Sequence, residues 1–321
     1  MAAGGERTGA VPAGRAAGAG GAQAGGGQGA AWPSFLLVGA PKAGTTALYR
    51  WLRQHPALYL PANKQPHYFA GLSPAFCGPG DAAFNRDLVP DQEHYLRLLA
   101  PGAARQGCGE ASPFYLCFAE RVAPRVRAAA PRCRLVVLLR EPVARAYSGY
   151  LHLVRDGRET RGFAEALDRE EQRWARGWEP LWAHRRLGCY GRQLETLLGS
   201  FPRAQVGVWL YEDLRADPRR LYAEVCRFLE VDDAFRPRFT RHNTGGAPRH
   251  AGLHAALVRL HAPQIAKAVL PERLAQWVVA HYLRHDPPPA AAAAELRAYY
   301  RQDLALLRRL VPERDFRAWG P

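Results

Sequence analysis

The segment Phe35-Leu-Leu-Val-Gly-Ala-Pro-Lys-Ala-Gly-Thr-Thr-Ala-Leu-Tyr49 constrains this chain more than any other. Phe35 to Val38 is short, apolar and fit for a buried parallel strand. Gly39 and Gly44 let the backbone bend closely around a ligand, and Thr45 and Thr46 open a helix that carries Leu48, Trp51 and Leu52. The first N–H groups of a helix have no partner within it, so a strand, loop and helix in this order form an anion site, with the Thr hydroxyls as added ligands.

From Gly39 to Thr45 the glycine spacing is that of a Walker A loop, but Lys42 precedes the second glycine instead of following it. Nucleotide binding is therefore expected, and ordinary ATPase chemistry is not. The run Pro41-Lys-Ala-Gly-Thr-Thr-Ala-Leu-Tyr49 resembles the loop with which sulfotransferases hold the 5′-phosphosulfate of 3′-phosphoadenosine 5′-phosphosulfate (PAPS). The resemblance, to carbohydrate and heparan-sulfate-type enzymes and their bacterial-like relatives, implies that Lys42, Ala43, Gly44, Thr45 and Thr46 bind this cofactor. Lys42 would also be catalytic, stabilising charge on the leaving phosphate.

About a hundred residues on, Leu135-Val-Val-Leu-Leu139 reads as a second core strand, followed by Arg140-Glu-Pro-Val-Ala-Arg-Ala-Tyr-Ser148. Arg140 leaves the strand at its carboxyl end, where open α/β sheets place their ligands, and Pro142 is suited to start the next helix. In the family pattern, Arg and Ser at this spacing bind the 3′-phosphate, which implies that role for Arg140 and Ser148. The loop Arg241-His-Asn-Thr-Gly-Gly-Ala-Pro-Arg249 lies where relatives carry a cofactor-contacting loop, so Asn243 and Arg249 are further expected cofactor ligands.

Between the two strands, Lys64-Gln-Pro-His-Tyr-Phe69 resembles the family segment Lys-Glu-x-His-Phe-Phe, whose glutamate is the general base. This chain has Gln65 there. An amide cannot take a proton near neutral pH, so Gln65 is expected only to orient the acceptor, and His67, with an ordinary pKa near 6.5, becomes the candidate base. Gly109-Glu-Ala-Ser-Pro113 resembles Gly-Glu-Lys-Ser-Pro. There Glu110, at the end of a short strand, is the second candidate, and Ser112-Pro113 is expected to open a helix. Ala111 replaces a lysine that heparan-type enzymes use.

Only three lysines, Lys42, Lys64 and Lys267, occur among 44 basic residues, and two of them fall in these motifs. A compact ammonium can follow charge onto a bridging oxygen better than a planar guanidinium can. The net charge of +15 is spread along the chain without a nucleic-acid-binding motif, so an anionic cofactor or substrate is a better expectation than nucleic acid. Trp174, Trp178 and Trp182 recur among arginines, either as core or as the lining of a sugar cleft. The six cysteines have no metal spacing, and no metal is expected.

Alternating strands and helices predict an α/β fold of P-loop-like, three-layer form: one central parallel sheet flanked by helices, a single domain over residues 34–321. Residues 1–33, rich in Gly and Ala, are expected to be a disordered tail. The absence of an apolar run of about 18 residues makes a cytoplasmic setting the expectation, rather than the anchored form of a Golgi-lumen enzyme. The expected function is transfer of a sulfuryl group from PAPS to a hydroxyl or amine of a carbohydrate or small molecule. Because Gln65 removes the family base, the alternative is an impaired protein that binds PAPS or its product adenosine 3′,5′-bisphosphate (PAP). A P-loop kinase is a weaker alternative, since the strand ending at Leu139 delivers Arg140 where a magnesium-binding carboxylate belongs.

Overall fold

The computed structural model describes residues 32–239 and 286–320, together with the backbone of a two-residue strand pair, Ala247–Pro248 with Leu283–Arg284. Five strands form the main sheet: β1 (Phe35–Gly39), β2 (Leu58–Tyr59), β3 (Gly107–Glu110), β4 (Arg134–Leu139) and β5 (Val206–Leu210). Their spatial order is β2-β3-β1-β4-β5, and every pairing is parallel. Helices cover both faces, which is why β1, β4 and β5 are almost continuously apolar and buried rather than alternating.

This order sets the position of the site. The chain leaves β1 through α1 (Thr45–Leu52), passes over β3's place to form β2, then returns beside β1 as β3 and crosses to its other side as β4. Connections from β1 therefore diverge, opening a crevice at the carboxyl ends of β1, β3 and β4. Into that end run the Gly39–Gly44 loop, Glu110 and Arg140.

Helices α2 (Ala82–Asp87) and α3 (Gln92–Leu99) precede β3, and α4 (Ala119–Ala129) precedes β4. The helix expected at Ser112-Pro113 begins only at Ala119, after a string of turns. The Ser112 hydroxyl accepts the His67 N–H at 3.0 Å, tying two loops together instead of capping a helix, and the Leu116 N–H donates to the Val38 carbonyl at 2.8 Å. After β4 comes α5 (Pro142–Arg155). Pro142 occupies its first turn as expected, and the Glu141 carboxylate caps it, accepting from Val143 N at 3.0 Å and Ala144 N at 2.6 Å.

Two short helices, α6 (Phe163–Asp168) and α7 (Glu170–Ala175), lead to α8 (Tyr190–Ser200). After β5 follow α9 (Tyr211–Ala216), α10 (Pro218–Phe228) and the long C-terminal helix Ala290–Leu310. Trp174 and Trp182 are buried, and the Arg173 guanidinium lies 5.2 and 4.7 Å from the Trp178 and Trp182 ring centres. Of the two roles open to these tryptophans, the structure gives them packing. Trp32, just ahead of the expected domain boundary, packs on Tyr68, Phe69 and Tyr95 at 6.0–6.2 Å. Among the described residues, no helix is long and apolar enough to cross a membrane.

Candidate active site

The phosphate-type loop is bent by two left-handed residues. Gly44, at φ 93°, is the residue before α1, and a side chain there would crowd the Tyr211 ring at 3.1 Å. Having no side chain, it cannot cap the helix; its carbonyl accepts the Ala47 N–H at 3.0 Å, and no side chain caps the Thr45 and Thr46 N–H groups ahead of it. Lys42 is also left-handed, at φ 68°, a conformation that costs a non-glycine residue about 1–3 kcal/mol and persists only where neighbours enforce it. One enforcing contact is visible: Arg140 Nη1 donates to the Lys42 carbonyl at 3.2 Å.

Arg140 thus joins the two motifs. Its own carbonyl accepts the Tyr190 hydroxyl at 3.0 Å, and its guanidinium lies 4.7 Å from the Tyr211 ring centre. Lys64 adds a second tie, donating from Nζ to Thr46 Oγ1 at 2.9 Å. Because the ammonium occupies a lone pair of that oxygen, the Thr46 hydroxyl proton is left to point at an anion. Ala43 and Thr45 are buried in the loop wall, Thr46 is half-buried, and Ser148 stands half-buried in the second turn of α5. Asn243 and Arg249 lie outside the described residues.

The loop is strongly cationic. Burial, then the charges of Arg155, Arg140 and Lys64, push the Lys42 ammonium from 10.5 down to about 7, with Asp156 opposing. Lys64 falls to about 8, through burial and then Arg50, with Glu110 opposing. Cations this crowded favour a polyanion in their midst.

The two expected bases are both buried. His67 is 1% exposed, boxed by Phe84, Phe114 and Tyr115 at ring separations of 5.3–5.9 Å, and neither ring nitrogen has a hydrogen-bond partner among the described residues. Burial, with a smaller contribution from Lys64, pulls its pKa to about 3. It packs as a neutral aromatic. Glu110 is 0% exposed beneath the loop; burial raises its carboxyl to about 7, while the nearby hydroxyls of Tyr115, Ser112 and Tyr95 and the Lys64 charge oppose the rise without a well-aligned bond to either oxygen. Gln65 is half-buried, its N–H held by Asn63 Oδ1 at 3.2 Å.

A carboxyl raised on folding stabilises the fold below its unfolded pKa and loses that contribution as pH rises through its folded value. Glu110→Gln, which mimics the protonated form, should therefore gain stability over the native protein between pH 5 and pH 8, by at most about 3 kcal/mol. Denaturant unfolding at both pH values measures this; equal changes for the two proteins would show that Glu110 is ionised throughout.

Several residues at the site escaped the sequence reading. Tyr211 follows β5, the strand beside β4, and that position was the only signal for it. Arg155 and Asp156, whose charges act on Lys42, were visible only as charges at the end of α5. Among the described residues no group of three or more His, Cys, Asp or Glu could hold a metal.

A sequence profile of the sulfotransferase family matches residues 33–236. Heparan sulfate glucosamine 3-O-sulfotransferase 3B1 of Mus musculus is 29% identical over 199 residues, 61% of this chain and 46% of that protein. Heparan sulfate glucosamine 3-O-sulfotransferase 6 of Homo sapiens is 30% identical over 202 residues, 62% of this chain and 52% of that one. The chain therefore spans about half the length of these relatives. A solved sulfotransferase from Alicyclobacillus acidocaldarius superposes with a TM-score of 0.69 at 34% identity, covering 90% of this chain and 99% of that one. With its P-loop-like crevice and a family match over most of the described chain, the protein belongs to the sulfotransferase family.

Proposed function

We propose that this protein transfers the sulfuryl group of PAPS to a hydroxyl or amine of a carbohydrate or small-molecule acceptor. The observation that carries the reading is the Arg140–Lys42 contact at the mouth of an uncapped helix, which sets two cationic motifs around one crevice. Lys42, Ala43, Gly44, Thr45 and Thr46 would hold the 5′-phosphosulfate, and Arg140 and Ser148 the 3′-phosphate. Asn243 and Arg249 would add contacts from the later loop. The donor brings an activated sulfuryl group; the chain binds it, orients it and receives the charge left on the departing phosphate at Lys42. Gln65 would orient the acceptor.

The relatives named for heparan sulfate and the basic character of the crevice support a carbohydrate acceptor, while Ala111 removes one cation expected for a highly sulfated polymer. The test is label transfer from radiolabelled PAPS to a panel of oligosaccharides, small alcohols and amines. Label in none of them, with PAP still bound in calorimetry, would favour a binding protein without transferase activity.

A pH signature follows from Lys42. Free, it titrates near 7; a bound polyanion raises it, so binding takes up a proton above pH 7. PAP affinity should fall as pH rises above 7, by up to about tenfold per unit. Calorimetry in two buffers of different ionisation enthalpy checks the uptake, and a pH-independent affinity with no uptake would remove Lys42 from the phosphate site.

A further inference from the structure

Lys64 reaches the phosphate-type loop from a different segment of the chain, and the contact is direct: Nζ donates to Thr46 Oγ1 at 2.9 Å. The segment that carries it is fastened on both sides. Ahead of Lys64, the Tyr49 hydroxyl of α1 donates to the Pro61 carbonyl. The Lys64 carbonyl itself accepts the N–H of Ala111, just beyond β3, at 3.2 Å, and Gln65 N donates to Asn63 Oδ1 at 3.2 Å. Lys64 is therefore held at the end of β3 and extends to the first turn of α1. A half-buried lysine ordinarily turns its head to water or to a carboxylate. Among the described residues this ammonium forms no ion pair, and its one hydrogen bond goes to a neutral hydroxyl.

Thr46 is the second residue of α1. A threonine within a helix ordinarily donates its hydroxyl to the carbonyl three or four residues back. Those carbonyls belong to Ala43 and Lys42, and the Lys42 carbonyl already accepts Arg140 Nη1 at 3.2 Å. The Thr46 hydroxyl makes no bond of that kind. Its oxygen receives Lys64, and its proton has no acceptor among the described residues. A hydroxyl that accepts from an ammonium is a stronger donor in its turn, because each bond in such a chain polarises the next. The Thr45 and Thr46 N–H groups, which no side chain caps, belong to the same helical turn. Together these groups present donors alone, which suits an oxyanion with several lone pairs.

Resting on the sulfotransferase reading, we propose that Lys64 determines the selection of a 5′-phosphate by this loop. It acts through Thr46 as a positioning residue, holding that hydroxyl as a donor toward the 5′-phosphate oxygens of a bound adenosine bisphosphate. Without Lys64, the Thr46 hydroxyl is free to turn back onto the helix, and the loop loses an aimed donor. Arg140 and Ser148, assigned to the 3′-phosphate, do not depend on this contact. A ligand that lacks the 5′-phosphate is therefore indifferent to Lys64.

Calorimetry on the full chain tests this with two probes, PAP and adenosine 3′-phosphate, which lacks the 5′-phosphate. Lys64→Met keeps most of the stem without its charge, and it should weaken PAP by about tenfold, the usual size of one charge-assisted hydrogen bond. Its affinity for adenosine 3′-phosphate should stay within about twofold of native, which also shows that the variant is folded. Thr46→Val should weaken PAP by at least as much. Because the two side chains act in series, the double variant should match Thr46→Val within about threefold, whereas independent contacts would multiply.

A PAP affinity of Lys64→Met within about twofold of native overturns the proposal. So does a loss that multiplies in the double variant, or one that falls equally on both probes, which is the mark of a merely structural side chain. If the native protein binds both probes equally well, the loop does not hold a 5′-phosphate, and this inference falls while the 3′-phosphate site stands. If it binds neither, the sulfotransferase reading falls and takes this inference with it.

Discussion

Lys42→Met is expected to leave the fold intact and to cut sulfuryl transfer by about 10²–10³-fold, the usual consequence of removing one preorganised group that stabilises a developing oxyanion. The loss belongs to the chemical step more than to binding, because the charge on the bridging oxygen appears only as the sulfur–oxygen bond breaks. The remaining loop N–H groups, the Thr hydroxyls and Arg140 would still hold most of the resting phosphate charge. Stability should not fall, since burial and the neighbouring cations already disfavour the ammonium. Single-turnover transfer from labelled PAPS, beside PAP calorimetry and circular dichroism, separates these effects. A variant that transfers within threefold of the native rate would remove Lys42 from the mechanism.

The largest expected effect on stability lies at Asp81. This carboxylate is fully buried and accepts from Gly78 N at 2.8 Å, Glu179 N at 2.8 Å, Trp182 Nε1 at 3.2 Å and the Arg158 guanidinium. Arg158 also holds Glu179, Nη1 to Oε1, at 2.6 Å. Asp81 therefore pins the loop ahead of α2 to the segment after α5 and to the turn at Pro180–Trp182. Removing one partner from a buried charge cluster leaves donors and a cation uncompensated. Asp81→Ala should cost about 3–5 kcal/mol, seen as a fall of roughly 10 °C in Tm. Asp81→Asn keeps the shape without the charge and should lie between. Thermal unfolding by circular dichroism measures both, and a loss below about 1 kcal/mol for the alanine variant would show that these segments are held together by packing alone.

Much of the architecture was legible because it is local. β1 and β4 were visible as uninterrupted apolar runs, and the start of α5 was visible from Pro142, because strand burial and helix initiation depend on neighbours within a few residues. Gly44 and the two threonines marked a ligand loop for the same reason: positive φ and free N–H groups are properties of the backbone. The parallel sheet then followed from alternation of strand and helix, and with it the meeting of Lys42 and Arg140 at one sheet end.

The burial of the expected bases was not legible. His67 and Glu110 stand in segments that look catalytic, yet whether such a side chain opens onto a crevice or turns beneath it depends on Phe84, Phe114, Tyr95 and Tyr115, which arrive from separate parts of the chain. Ser112-Pro113 has a helix-opening composition, but the Ser112 hydroxyl is taken by His67, and only the tertiary contact revealed that.

Backbone conformation, apolar periodicity and the chemistry of each side chain are written residue by residue, so the chain alone determined the strands, the anion-binding loop and the two cationic motifs. Which polar groups keep access to water, and which lose it with their charge, was decided only when distant segments packed together. Desolvation is a property of the assembled surroundings, and no single stretch of sequence contains them.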